Sequence, residues 1–251
     1  MHPKYRGEWS KPATGRSLWR YRVTSADAVH INYGFGRFRL PPSAHLRVLD
    51  SNGKPLIRDL GAADNDDHGQ FWTPPLDGGD HVLELAIDDA DLPELELELT
   101  HIGVGYRGYG TTHAKAIKSG SCNTDFVCLS TSDPWYRNGR SVGVLSDAGS
   151  RYCTGSLVNN TANDRKMYFI TATHCEVTAG TAPSLVVVWN FQSPTCRNPG
   201  SSASGSPAVV GSLAQFNSGA VFRAATNNPF AGGGAAGTRS DNTLLELDDP
   251  A

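Results

Sequence analysis

The chain has 251 residues, 39% hydrophobic and 19% charged, with 27 glycines and 15 prolines, which is the composition of a polar globular protein of one large domain or two ordinary ones. A formal net charge of −3 gives neither a basic face for nucleic acid nor a polybasic run for a membrane surface. The longest apolar runs, such as SLVVVW at 184–189, are strand-length and far short of a bilayer span.

The opening MHPKYRGEWSKPATG has no apolar core and no small-residue cleavage site, so a signal peptide is not present in this chain. From Ser17 to about Leu99 the segments SLWRYRV, AVHINYGF, HLRVLD, HVLELAI and ELELELT alternate apolar and polar residues, as half-buried strands do. DSNGKP after HLRVLD is a hairpin signal. Short antiparallel strands at this spacing predict an all-β unit, a β-sandwich over residues 1–102, with no nucleophile–base pair. Trp19, Tyr21, Tyr33, Phe35 and Trp72 sit in the same alternation and are assigned to its core, not to a ligand-binding row. DNDDHG, Asp64 to Gly69, has the oxygen-rich look of a calcium loop but lacks a distal bidentate Glu; a solvated acidic turn is expected.

GVGYRGYGTTHAKAIKSGS, from 103 to 121, breaks the alternation with Gly, Thr and small residues. Residues 103–118 are read as a linker with Lys115 and Lys118 open to cleavage. Beyond it CTGSLVNN, MYFITATHC, SLVVVWN, GAVFRAAT and NTLLELDD predict short strands between Gly/Ser/Asn loops, and so a second β unit over 119–251, a barrel without any long amphipathic helix.

All five cysteines, Cys122, Cys128, Cys153, Cys175 and Cys196, lie in this second part, and none shows CxxC spacing. Disulfides in an oxidising compartment are expected instead of structural zinc, with one partner unaccounted for. A secreted chain, extracellular or periplasmic, clipped at both ends would fit. If CTGSLV and MYFITA form a hairpin, Cys153 comes toward Cys175. A disulfide there would be worth roughly 3 kcal/mol in the chain-entropy picture. It would also brace the backbone just after His174, as a general base requires.

TATHC resembles the T-A-A-H-C signature around the catalytic histidine of trypsin-like serine peptidases with the chymotrypsin fold. The longer CTGSLVNNTANDRKMYFITATHC resembles the bacterial lysyl endopeptidase branch, and SGSCNTDFVC at 119–128 resembles the start of its mature enzyme. SDNTLLELDD is similar to the stretch that carries the triad aspartate, and HINYGF and LELTHIGVGYRGYG resemble the family propeptide. The resemblance covers nearly the whole chain.

That resemblance implies a first chymotrypsin-like barrel behind a propeptide, with His174 as general base and Asp241 as its orienting partner. It pairs Cys153 with Cys175 and Cys128 with Cys196, and gives Cys122 a partner outside the chain. Processing would fall between Lys118 and Ser119, where a lysine lets a lysine-specific enzyme mature itself. One lysine, Lys166, against seven arginines after residue 118 suits an enzyme that avoids cutting itself. Neither a metal nor an organic cofactor is implied. The partners are a polypeptide substrate and the propeptide against its own protease domain.

One departure concerns the nucleophile. The family carries its serine in a G-S-S-G-S-P stretch well after the triad Asp, and residues 242–251 contain none. GSSASGSP at 200–207 offers Ser204, but before Asp241, against the family order His, Asp, Ser. The 251 residues alone are therefore expected to be inactive, and lysine preference follows from the family branch only. The competing readings are a non-catalytic peptidase homologue, a binding protein built on the sandwich, and, for Asp241, a loop aspartate that caps a strand.

Overall fold

A computed structural model describes residues 1–105, 122–149, 151–201, 211–231 and 239–248. The chain divides into two compact units, Met1–Tyr106 and Arg107–Ala251. Both are all-β.

The first unit is built from β1 (Glu8–Ala13), β2 (Arg16–Arg39), β3 (His45–Asp50), β4 (Phe71–Trp72), β5 (Leu76–Asp88) and β6 (Glu96–Gly105). SLWRYRV and AVHINYGF, which the alternation separates, belong to one strand of 24 residues. The intervening TSAD carries no Gly, Pro or Asn to make a turn, so the strand bends through a register shift between Ser25 and His30. Before the bend β2 pairs with β5; after it His30 and Ile31 still pair with the start of β5, while His30 to Arg39 pair with β6, all antiparallel. The sheet thus folds over on itself into a sandwich. Tyr33 beyond the bend reaches His81 on β5 across the core, with 2.8 Å between the hydroxyl and Nδ1. Trp19, Tyr33, Phe35 and Trp72 are buried in it, with Leu83 and Leu85.

Strand β6 runs to Gly105, so residues 103–105 are sheet and not linker. The glycines that break the pattern there lie opposite large side chains. A Cβ on Gly103 would fall 2.0 Å from the Asn32 side chain, and one on Gly105 1.9 Å from the His30 ring. The Asp64–Gly69 string is a turn, but its first residues are not solvated. Asp64 is buried, accepts the Gly61 N–H at 2.8 Å and pairs with Arg58 at 2.5 Å. Asn65 satisfies both backbone groups of Leu40.

Among the described residues the second unit contains α1 (Pro134–Gly139), a single turn and a half capped by Asp133, and seven strands. These are β7 (Val142–Asp147), β8 (Arg151–Leu157), β9 (Tyr168–Thr171), β10 (Leu185–Trp189), β11 (Phe216–Ser218), β12 (Ala220–Ala225) and β13 (Thr243–Leu247). Their order is β11-β10-β7-β8-β9-β13-β12, with antiparallel neighbours. β11 and β12 are separated only by Gly219, whose φ of 85° turns the chain from the β10 edge to the β13 edge. The curled sheet closes there into a barrel. Leu145, Phe169, Leu185, Val187, Leu245 and Leu247 fill its interior. VGVLSD, unmarked by the sequence patterning, is the interior strand β7, between β10 and β8.

Candidate active site

Strands β9 and β13 are antiparallel neighbours, with Thr171 opposite Thr243. The end of one and the beginning of the other therefore meet at the same rim of the barrel. His174 stands just past β9, in the one-turn 3-10 segment Thr173–Cys175, and Asp241 stands two residues before β13. Sixty-seven residues apart in sequence, they are joined twice. The His174 backbone N–H donates to Asp241 Oδ1 at 3.0 Å, and Nδ1 lies 2.5 Å from Oδ2. An ionised carboxylate only accepts, so Nδ1 carries the proton and Nε2 keeps the free lone pair.

Burial pushes the Asp241 carboxyl up, but the side-chain and backbone hydrogen bonds from His174, its charge, and the Thr173 N–H outweigh that. They hold Asp241 below the ordinary carboxylate value. It stays ionised wherever His174 can act as a base.

The ground under the pair is braced by neighbouring hydroxyls. Thr173 donates to the Asn242 carbonyl at 2.8 Å and lies 3.1 Å from the Thr226 hydroxyl. Thr171 donates to the Thr154 carbonyl at 2.7 Å, tying the end of β9 to β8. Cys175 is bonded to Cys153 of β8, which fixes the residue after His174 to the barrel wall. The donor atoms of Cys153, His174 and Cys175 lie close enough together to suggest a metal site, but both sulfurs are in the disulfide and offer no thiolate.

A second disulfide joins Cys128 to Cys196. Beside it Arg197 grips Asp125 with a fork of two bonds, 2.7 and 2.6 Å, and its own N–H adds a third at 3.0 Å. That hydrogen bonding holds the Asp125 carboxyl low. Cys122 has an exposed free thiol. Lys118, Ser119 and Ser204 lie outside the described residues. The sequence patterning passed over Phe230, whose ring meets the His174 ring edge to face, with centroids 5.3 Å apart. No periodicity marks a contact across fifty-six residues made by a loop.

A closed antiparallel barrel with a His–Asp pair at the rim of adjacent strands is the first barrel of a chymotrypsin-like fold. The lysyl endopeptidase C-terminal domain family matches residues 117–251, more than half of the chain, and the chain belongs to that family. Over 224 residues it is 25% identical to the lysyl endopeptidase of Pseudomonas aeruginosa, covering 81% of this chain and 46% of that protein. The chain thus spans about half the length of the curated relative that it matches. Among the described residues no helix is long and apolar enough to cross a membrane.

Proposed function

We propose that these residues are the propeptide and the first catalytic barrel of a secreted serine endopeptidase that cleaves polypeptides after lysine. In this reading residues 1–102 keep the zymogen inactive or assist its folding, acting on its own protease domain, and cleavage between Lys118 and Ser119 matures it. The observation that supports it most is the 2.5 Å contact of His174 Nδ1 with Asp241 Oδ2, made on a barrel of the matching family.

The chemistry follows from the tautomer. Nε2 takes the proton of a serine hydroxyl as that oxygen attacks the scissile carbonyl carbon, and returns it to the departing amine. Asp241 remains ionised, keeps the ring oriented and stabilises the imidazolium that forms between the two transfers. The serine, the oxyanion donors and the pocket for the lysine side chain are assigned to residues that follow Asp241 in the longer protein.

The test compares residues 1–251 with a protein extended through the downstream reading frame, on lysyl and arginyl amide substrates. The extended protein is expected to cleave the lysyl substrate preferentially and to be labelled by a serine-directed phosphonate. His174→Ala should reduce kcat on the order of 10⁶-fold, and residues 1–251 alone should show no turnover. An extended protein that is inert to both substrate and label would overturn the reading.

A further inference from the structure

Residues 226–231, which follow β12, bring a side chain back to the site. Thr226 fastens the base of this loop: its N–H donates to the Asn242 carbonyl at 2.9 Å, and its hydroxyl donates to the Ser240 carbonyl at 3.0 Å. The same hydroxyl accepts the Asn242 N–H at 3.0 Å. Asn242 and Ser240 flank Asp241, so the loop base and the aspartate share one anchorage. Just past the base, Asn228 closes a tight turn. Its side chain accepts the Phe230 N–H at 2.9 Å and its carbonyl accepts the Ala231 N–H at 3.2 Å. The turn lays Phe230 against His174, centroids 5.3 Å apart and ring planes at 89°.

One hydrogen bond at Nδ1 fixes a single corner of an imidazole and leaves the ring free to swing about it. His174 is half-exposed, so water competes for that bond on its open side. An aromatic ring set edge to face at this distance is in its favoured geometry, and the contact restrains the imidazole plane. We propose that Phe230 is a positioning residue for His174: it holds the imidazole in the plane where Nδ1 faces Asp241 and Nε2 faces outward. This rests on the reading of His174 as the catalytic base.

The test is nuclear magnetic resonance of the 251-residue chain with labelled histidine, followed through the Nδ1–H proton of His174. Wild type is expected to show this proton far downfield and protected from exchange, with the imidazole carbon protons shifted by the Phe230 ring current. Phe230→Tyr should preserve both features. Phe230→Leu should abolish the ring-current shift and speed Nδ1–H exchange roughly two- to tenfold, with the backbone spectrum otherwise retained. In the extended enzyme the same variant should lower kcat by a similar factor and leave KM unchanged. Exchange and ring-proton shifts in Phe230→Leu equal to wild type would overturn the assignment of Phe230 while leaving the His174–Asp241 pair intact. Asp241→Asn separates the two ideas: if it leaves the Nδ1–H signal unaltered, or if wild type has no such signal, the pair fails and the role of Phe230 fails with it.

Discussion

His174 has two ring nitrogens, and the partner given to one decides what the other can do. Asp241→Asn keeps the volume but puts an amide where an acceptor stood. The imidazole can then turn its proton to Nε2, the atom that must accept one. In the extended enzyme this substitution is expected to lower kcat about 10⁴-fold with the circular dichroism spectrum unchanged; a fall of less than tenfold would argue that the aspartate only caps its loop. The histidine itself was legible in TATHC because its neighbours are local: a strand before it and a cysteine after it. The middle Thr of that string was not. Its hydroxyl matters through Asn242 and Thr226, which lie far along the chain and become neighbours only when β13 lies beside β9. Phe230 escaped for the same reason, as a loop side chain whose partner is set by closure of the barrel.

Among the strands, alternation served where one face is buried and the other wet, and failed where glycine or length interfered. β6 was cut short because Gly103 and Gly105 look like linker residues until His30 and Asn32 are seen lying over them. β7 was passed over because its buried stretch of VGVLSD spans only a few residues. The strand β5 also carries a titratable group that folding hides. His81 is buried, with Nδ1 2.8 Å from the Tyr33 hydroxyl and Nε2 2.7 Å from the Asp77 carbonyl. The carbonyl can only accept, so Nε2 bears the proton and Tyr33 donates to Nδ1. Burial lowers the His81 pKa below its ordinary 6.5, against the raising influence of the Asp77 backbone bond and the charges of Asp50, Asp77 and Asp80.

The folded state therefore binds fewer protons than the unfolded chain, and the contribution of His81 is complete above pH 6.5 and lost as pH falls from there through its lowered folded value. Asp50, Asp80 and Asp89 behave differently. Hydrogen bonds from Lys54, Arg22 and Lys11 hold them below 3.8, so they withdraw stability only under that value. Thermal midpoints measured across pH should begin to fall below about pH 6 in wild type. His81→Gln should flatten that first descent and leave the loss in stronger acid. Equal slopes in the two proteins would show that His81 charges without cost.

For the whole molecule, the change of composition near residue 103 already marked two units, and the cysteines confined to the second suggested that only one of them is stapled. What could not be read was that the first unit has a spine. β2 is bonded to β1, β4, β5 and β6, so both halves of the sandwich are edges of a single strand. The two halves are therefore expected to open together. Amide protons at Ile31 and Leu85, one from each half, are expected to exchange with deuterium through the same opening event and with equal free energies. A difference beyond about 1 kcal/mol would mean that the halves come apart separately. The consequence reaches the proposed maturation of the zymogen. If residues 1–102 are the propeptide, a single cut in β2 is expected to remove the unit as a whole, and its disappearance would be a switch and not a dial.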